Sequence, residues 1–216
     1  MIEAEVNFPI NTGIETAPVF IFDTVSYQKD QKKIEKALSK ILRYKVLGID
    51  CEFWMLQEQQ QILSCVQIAT GKEVYIFESG ILEEKNDKIA SGFIKFLASP
   101  FVVKAGFSVK QDCSKIREAL NIRYTTAGIF DLGMISELRL NTFNIRHEMS
   151  LADAAFSRFG IIKQKSPGFK NPEWNENQVY YAAFDAWFSR KIFMDQLRKK
   201  ELVLGFSNYS GREIIA

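Results

Sequence analysis

The chain of 216 residues has only three cysteines and a single histidine, and these two shortages remove much chemistry at once. Cys51, Cys65 and Cys113 cannot all pair, and each sits in an apolar stretch (GIDCEF, ILSCVQI, QDCSKI) without a cysteine or histidine at ligand spacing. They read as buried small hydrophobes of a protein in an intracellular, reducing compartment, nucleus or cytoplasm. His147, in the polar stretch NTFNIRHEMS, cannot make a histidine-rich zinc site and reads as a surface loop residue. No apolar run reaches the roughly 18 residues of a membrane span. The N-terminal MIEAEVNFPINTGIE is acidic and interrupted by polar residues, so neither a secretory leader nor an Arg-rich transit peptide is expected there. Neither a G-x-G-x-x-G nor a G-x-x-x-x-G-K-[ST] loop occurs, which leaves a small-molecule α/β enzyme using a nucleotide cofactor without support. An excess of one charge is lacking too: Lys plus Arg number 28 against 26 Asp plus Glu. A nucleic-acid partner would therefore have to be held by a local patch or through metal ions, not by bulk charge.

What is present is the material of a folded domain: 47% hydrophobic residues, 25% charged residues and 18 Phe. No internal repeat, low-complexity tract or linker divides it. Residues 19–25 (VFIFDTV) read as a short strand after a polar N-terminal arm. Ile34, Ala37, Leu38, Ile41 and Leu42 share one face of a helix over residues 30–42. VLGIDCEFW (46–54), ILSCVQIAT (62–70) and EVYIFES (73–79) form three successive strand-like runs, a meander. Lys88 to Leu97 reads as a helix and VVKAGF (102–107) as a strand. Ser108 to Gln111 has the form of a capping box opening a helix through Leu120. GIFDL (128–132) reads as a short strand before a helix through Arg139. Ser150 caps the helix LADAAFSRF, and Asn175 opens a long helix to about Lys199. Three strands followed by alternating strand and helix predict a mixed sheet covered by helices, an α/β domain.

Carboxylates draw attention in three places. Strand alternation puts Asp50 and Glu52 on one face and Ile49, Cys51 and Phe53 on the other. Two adjacent carboxylates repel unless a cation lies between them, and hard divalent ions take oxygen ligands, so the pair is half of a metal site. An Asp-x-Glu is equally at home on a solvated strand face, but an apolar VLGI lead-in is unusual company for one. Asp112 falls in the first turns of the helix after Ser108, where the helix dipole favours a negative charge and an ordinary surface acid is the plain reading. Tyr181 and Asp185, at i and i+4, project together from the last helix. Taken alone, Tyr181 reads as a core aromatic.

Together, GIDCE, then KAGFSVKQDCSKI, then NPEWNENQVYYAAFDAW resemble the motifs of the DEDDy 3′–5′ exonuclease family. Within that family the chain is similar to the ribonuclease D group and to Werner-type exonuclease domains. The stretches CVQIAT and SLADAAFSRFG, Lys165-Ser166 and Trp174 fit as well, and the likeness runs from about residue 19 to 198. The resemblance implies an RNase H-like fold with a five-stranded mixed sheet. It assigns residues 19–200 to the exonuclease domain, with 1–18 an N-terminal arm and 201–216 a tail. It also makes Asp50, Glu52, Asp112, Tyr181 and Asp185 the catalytic set. The four acids would hold two divalent ions, Mg²⁺ or Mn²⁺: Asp50, Glu52 and Asp185 one, Asp50 and Asp112 the other. Two points depart from the pattern: SPGFKNPEW carries Pro167, Gly168 and Lys170 where an Arg is common, and VLGFSNYSGREIIA is expected to be a tail and not a helical accessory domain.

These implications predict metal-dependent removal of nucleoside 5′-monophosphates from the 3′ ends of RNA or DNA single strands. The Tyr181 phenol, with an ordinary pKa near 10, would orient the attacking water and not deprotonate it. No histidine lies four or five residues before Asp185, so the tyrosine subtype follows from the residues themselves. Phe53, Trp54 and Met55 are candidates to pack on the terminal nucleotide, although alternation sends at least one of them to the core. Lys163, Lys165 and Lys170 form a loose basic run, with Lys165 the substrate-binding candidate. A solvated loop accounts for that run equally well. The competing reading is a non-catalytic RNA-binding scaffold that keeps the fold. Loss of an acid would be its mark, and none is lost.

Overall fold

The computed structural model describes residues 1–25, 27–56, 60–83, 87–133, 150–170 and 172–199. The helix expected through Arg139, the placement of His147 and the 201–216 tail lie outside the described residues. The elements in chain order are β1 (Ile2–Ile10), β2 (Gly13–Phe22), α1 (Tyr27–Ile41), β3 (Val46–Leu56), β4 (Gln60–Ala69) and β5 (Val74–Glu78). Then follow α2 (Ser79–Glu83), α3 (Asp87–Ala98), β6 (Val103–Gly106), α4 (Val109–Ala119), β7 (Ile129–Asp131), α5 (Leu151–Phe159) and α6 (Glu176–Arg198).

The strands make one mixed sheet of seven in the order β1-β2-β5-β4-β3-β6-β7. The expected meander is its centre: β3 pairs antiparallel with β4 and β4 with β5, while β6 and β7 continue parallel beyond β3. Those five match the expected sheet. The other two come from residues 1–22, where the sequence reading placed an arm and one short strand. Ile2, Ala4, Val6, Phe8 and Ile10 alternate strictly with polar residues or proline, the period-two signal of a half-buried strand. That signal, hidden among the acids, identifies β1. It pairs antiparallel with β2, which joins β5 in parallel.

Strand alternation splits the interior into two cores. On one face Leu47, Ile49, Cys51, Val66 and Phe77 meet Ile34, Leu38 and Ile41 of α1, Phe93 of α3 and Ile116 of α4. On the other, Cys65, Ile76, Ala105 and Phe130 meet the apolar side of α6. The hairpin reaches over that helix, with Phe8 ringed by Tyr180 at 5.4 Å, Phe188 at 5.2 Å and Phe184 at 6.1 Å. All three cysteines are free and buried, as expected.

Gly48 decides how close α6 comes to β3. A Cβ there would lie 1.9 Å from the Ala186 carbonyl oxygen and 2.8 Å from the Arg190 backbone nitrogen. Only glycine allows this approach, and Ala182, Ala183 and Ala186 supply the small side chains that complete it. Arg190 Nε then donates to the Val46 carbonyl at 3.1 Å, tying the helix to the start of the strand.

Candidate active site: a carboxylate cluster between β3 and α6

Because α6 lies against β3, the acids of both elements meet. Asp50, Glu52 and Asp185 each offer a carboxylate oxygen, and these atoms lie within 4.8 Å of one another. Asp112, in the first turn of α4, is buried and close enough to act electrostatically on Asp50 and Glu52, though it stands outside that tight trio. Tyr181 sits one turn before Asp185 on the same face of α6, half-buried, its ring 5.9 Å from that of Phe169. The structure therefore brings Asp50, Glu52 and Asp185 together, with Asp112 and Tyr181 beside them.

Ser108 does not cap α4 through its side chain, as its capping-box pattern had suggested. Its backbone is left-handed, with φ 55°, and its N–H donates to Asp131 Oδ1 at 3.3 Å. The tight turn from β6 into α4 demands that conformation, and it brings Asp131 at the end of β7 beside Asp112. Ser150 and Asn175 do cap: Ser150 accepts from the Asp153 N–H within a full capping box, and Asn175 accepts from the Gln178 N–H.

Burial governs the cluster's electrostatics. It pushes the Asp50 carboxyl well above the usual range, with the charges of Asp185, Asp112 and Glu52 adding to the effect. Burial and then Asp185 raise Glu52 to about 8. Burial and then Asp131 raise Asp112 to about 8. Asp185 rises only to about 6, since Lys163 draws it back against burial. Asp185 Oδ1 and Asp112 Oδ2 are buried without a hydrogen-bond partner. Buried oxygens of one sign, unpaired and converging, are ligands in want of a cation. An all-oxygen donor set suits a hard divalent ion, so the residues fit the metal this class of fold uses.

Sequence reasoning missed the role of Lys163. Its Nζ donates to Asp185 Oδ2 at 2.6 Å and lies 4.2 Å from the centroid of the Tyr181 ring. The even spacing of Lys163 and Lys165 gave no hint that only the first turns inward. Lys165 stands exposed, and Lys170 reaches over the Trp54 ring at 5.5 Å. Among the three residues after the acidic pair, Trp54 continues the face of Asp50 and Glu52, Met55 is 53% exposed, and Phe53 packs into the opposite core. Alternation sends Phe53 there and takes it out of the site.

Residues 161–170 and 172–174 are pinned over this face. β4 carries one extra residue opposite the Glu52–Phe53 step, Ser64, and its Oγ donates to the Phe169 carbonyl at 2.6 Å. Gln178 Nε2 donates to the Gly168 carbonyl at 3.0 Å, and Trp174 Nε1 donates to Glu78 Oε1 at 2.5 Å. Gln67, the cross-strand partner of Asp50, is fully buried.

A carboxylate trio on a mixed sheet with helices on both faces defines a nuclease domain of the RNase H-like class. The chain belongs to the 3′–5′ exonuclease family, whose profile matches residues 25–200. It is 27% identical over 186 residues to exonuclease 3′-5′ domain-containing protein 2 of Homo sapiens, covering 81% of this chain and 29% of that protein. The chain thus spans less than a third of the curated relatives it matches. Among solved structures, the Nibbler EXO domain of Aedes aegypti superposes with a TM-score of 0.65 at 18% identity, covering 87% of this chain and 91% of that one. RNase D of Escherichia coli, an exoribonuclease involved in structured RNA processing, superposes with a TM-score of 0.66 at 14% identity, covering 86% and 45%.

Proposed function

We propose that this chain is a metal-dependent exonuclease that removes nucleoside 5′-monophosphates one at a time from the 3′ ends of single-stranded nucleic acid. The observation that carries the proposal is the meeting of Asp50, Glu52 and Asp185 oxygens within 4.8 Å, with Tyr181 one helical turn away on the same face. Asp50, Glu52 and Asp185 would hold one divalent ion, and Asp50 with Asp112 a second, each Mg²⁺ or Mn²⁺. When bound, the ions supply a deprotonated water and charge stabilisation for the leaving 3′ oxygen. Tyr181 orients that water: burial and then the charge of Asp185 raise its phenol above the ordinary value, so it stays protonated and serves as a hydrogen-bonding group, not a base. Trp54, with Lys170 over its ring, extends the site along β3 on the face of Asp50 and Glu52 and offers a stacking surface for the terminal nucleotides, whereas Met55, though exposed, falls on the Phe53 face. Lys165, exposed like Lys170, would meet a backbone phosphate.

The test is digestion of matched 5′-labelled RNA and DNA strands with Mg²⁺, with Mn²⁺ and with chelator. A ladder shortening from the 3′ end, present with either ion and absent with chelator, is the expected result. Binding of strands without shortening in either metal would instead support the RNA-binding scaffold. The relative rates on the two strands read out the sugar preference.

A further inference from the structure

Lys163 stands out from its segment. Between Gly160, which caps α5 with its N–H on the Phe156 carbonyl, and the buried Phe169, residues 162 and 164–168 are exposed while Lys163 turns inward. Its side chain is only 16% exposed, and it faces acids from two elements: Asp50 and Glu52 of β3 and Asp185 of α6. The ammonium donates to Asp185 Oδ2 at 2.6 Å and lies 4.2 Å from the centroid of the Tyr181 ring. It is a cation seated on one of the three carboxylates that converge as ligands. Asp185 Oδ1 stays without a partner, but a divalent ion held there would lie close to the ammonium on Oδ2, and in a buried pocket two neighbouring positive charges repel strongly.

We propose that Lys163 is a tethered cation that takes the place of the water-activating ion in the metal-free protein and swings out when the site loads, so that metal binding is a displacement. The inference rests on the metal-dependent reading above. Its physical content is competition. The ammonium keeps the apo cluster from being a set of uncompensated buried anions, and in doing so it weakens the first ion's apparent affinity by the fraction of time the site stands free. The chain allows the swing: the segment carrying Lys163 has no helix or strand of its own and is held at one end by the Gly160 cap of α5 and at the other by the Ser64–Phe169 hydrogen bond.

The test measures Mn²⁺ binding without substrate, by titration followed through the free-ion electron paramagnetic resonance signal. Lys163→Met should bind the first ion more tightly than the natural chain by about tenfold, the factor for a site free one tenth of the time. Lys163→Arg, which keeps the charge, should stay near the natural value. A folded Lys163→Met protein, checked by circular dichroism, with equal or weaker Mn²⁺ affinity overturns the proposal. A second measurement needs no variant: acetylation of Lys163 in the natural chain, read by peptide mass spectrometry, should rise when Mn²⁺ is added. Unchanged labelling at saturating Mn²⁺ also overturns it. Failure of the parent reading looks different, since then the natural chain would bind no Mn²⁺, or Asp185→Asn would bind it undiminished.

Discussion

Charge is buried in two regions of this molecule, and they are treated differently. Lys104 on β6 is completely buried, yet its Nζ donates to the Phe96 carbonyl at 3.1 Å and the Ser99 carbonyl at 2.8 Å, closing the end of α3. Burial lowers this ammonium to about 8, and the fold itself answers its hydrogen-bonding needs. On the neighbouring strand β3 and the helices against it, four carboxylates converge, two of their oxygens have no partner, and Lys163 pairs with one of them, Asp185. A buried charge that the chain satisfies is structural. Buried charges of one sign that the chain leaves unsatisfied mark a place completed by something from outside.

The strongest way to break the comparison is Asp50→Ala. It should bring cleavage to background, a loss of at least about 10⁴-fold, and abolish Mn²⁺ binding. The chelated protein at pH 8 should melt no lower than the natural chain, since one of several repelling buried acids is gone. Near-normal rates from this variant would falsify the metal-site assignment.

Tyr181→Phe removes a hydroxyl and no ligand. We expect kcat to fall on the order of 10²-fold or more, with KM little altered. Tyr180 is the control, because it turns away to pack on Phe8 at 5.4 Å. Tyr180→Phe should leave turnover nearly unchanged. Exchanged behaviour of the two variants in steady-state kinetics would place the water-orienting group one residue earlier.

Gly48→Ala tests whether the cluster depends on the approach of α6. A Cβ 1.9 Å from the Ala186 oxygen must push helix and strand apart. Overpacking of this kind costs about 3 kcal/mol, measurable as a lower denaturant midpoint, and should reduce activity by separating Asp185 from Asp50. An unaltered midpoint would show that the contact is easily relaxed.

The smallest effect concerns pH, where the two regions should have opposite signs. Glu52 and Asp112 at about 8 and Asp185 at about 6 lie above their ordinary values, so the folded, metal-free protein holds more protons than the unfolded chain. Its stability is therefore greatest below about pH 4 for these groups and falls as pH rises towards about 8. Lys104, lowered from 10.5 to about 8, is the reverse: the unfolded chain holds more protons between these values, and stability recovers as pH rises through them. Melting temperatures of chelated protein across this range should show the fall. Saturating Mg²⁺ should flatten it, and Lys104→Met should remove the alkaline recovery without touching turnover. A melting temperature that rises from pH 5 to 8 in chelator would contradict the assignment of strain to the carboxylates.

Most of the central architecture was legible in the residues. The meander follows from three apolar runs with polar breaks, α1 from its one-sided apolar face, and the acid motifs from their company. What escaped has particular causes. β1 alternates apolar residues with acids, Asn7 and a proline, which gives it the look of a polar arm, and only the burial of Phe8 over α6 marks it as a strand of the core. Ser108 carries a capping pattern, but the turn out of β6 forces it left-handed, and side-chain identity cannot show a backbone angle. Phe53, Trp54 and Met55 follow the acidic pair in sequence, yet the two faces of the sheet divide them.

The sequence by itself determined which residues could form a metal cluster, because Asp50 and Glu52 are bound to one strand face by the period of two and Tyr181 and Asp185 to one helix face by the period of 3.6. Only the tertiary structure decided that those faces touch. That contact depends on the missing Cβ of Gly48 and on small residues along α6, a matter of packing distance that no local periodicity contains. The same holds for Lys163: one lysine among several in a loop, it became part of the site because the ends of its segment are pinned and the Asp185 carboxylate favours its positive charge against the opposing effect of burial.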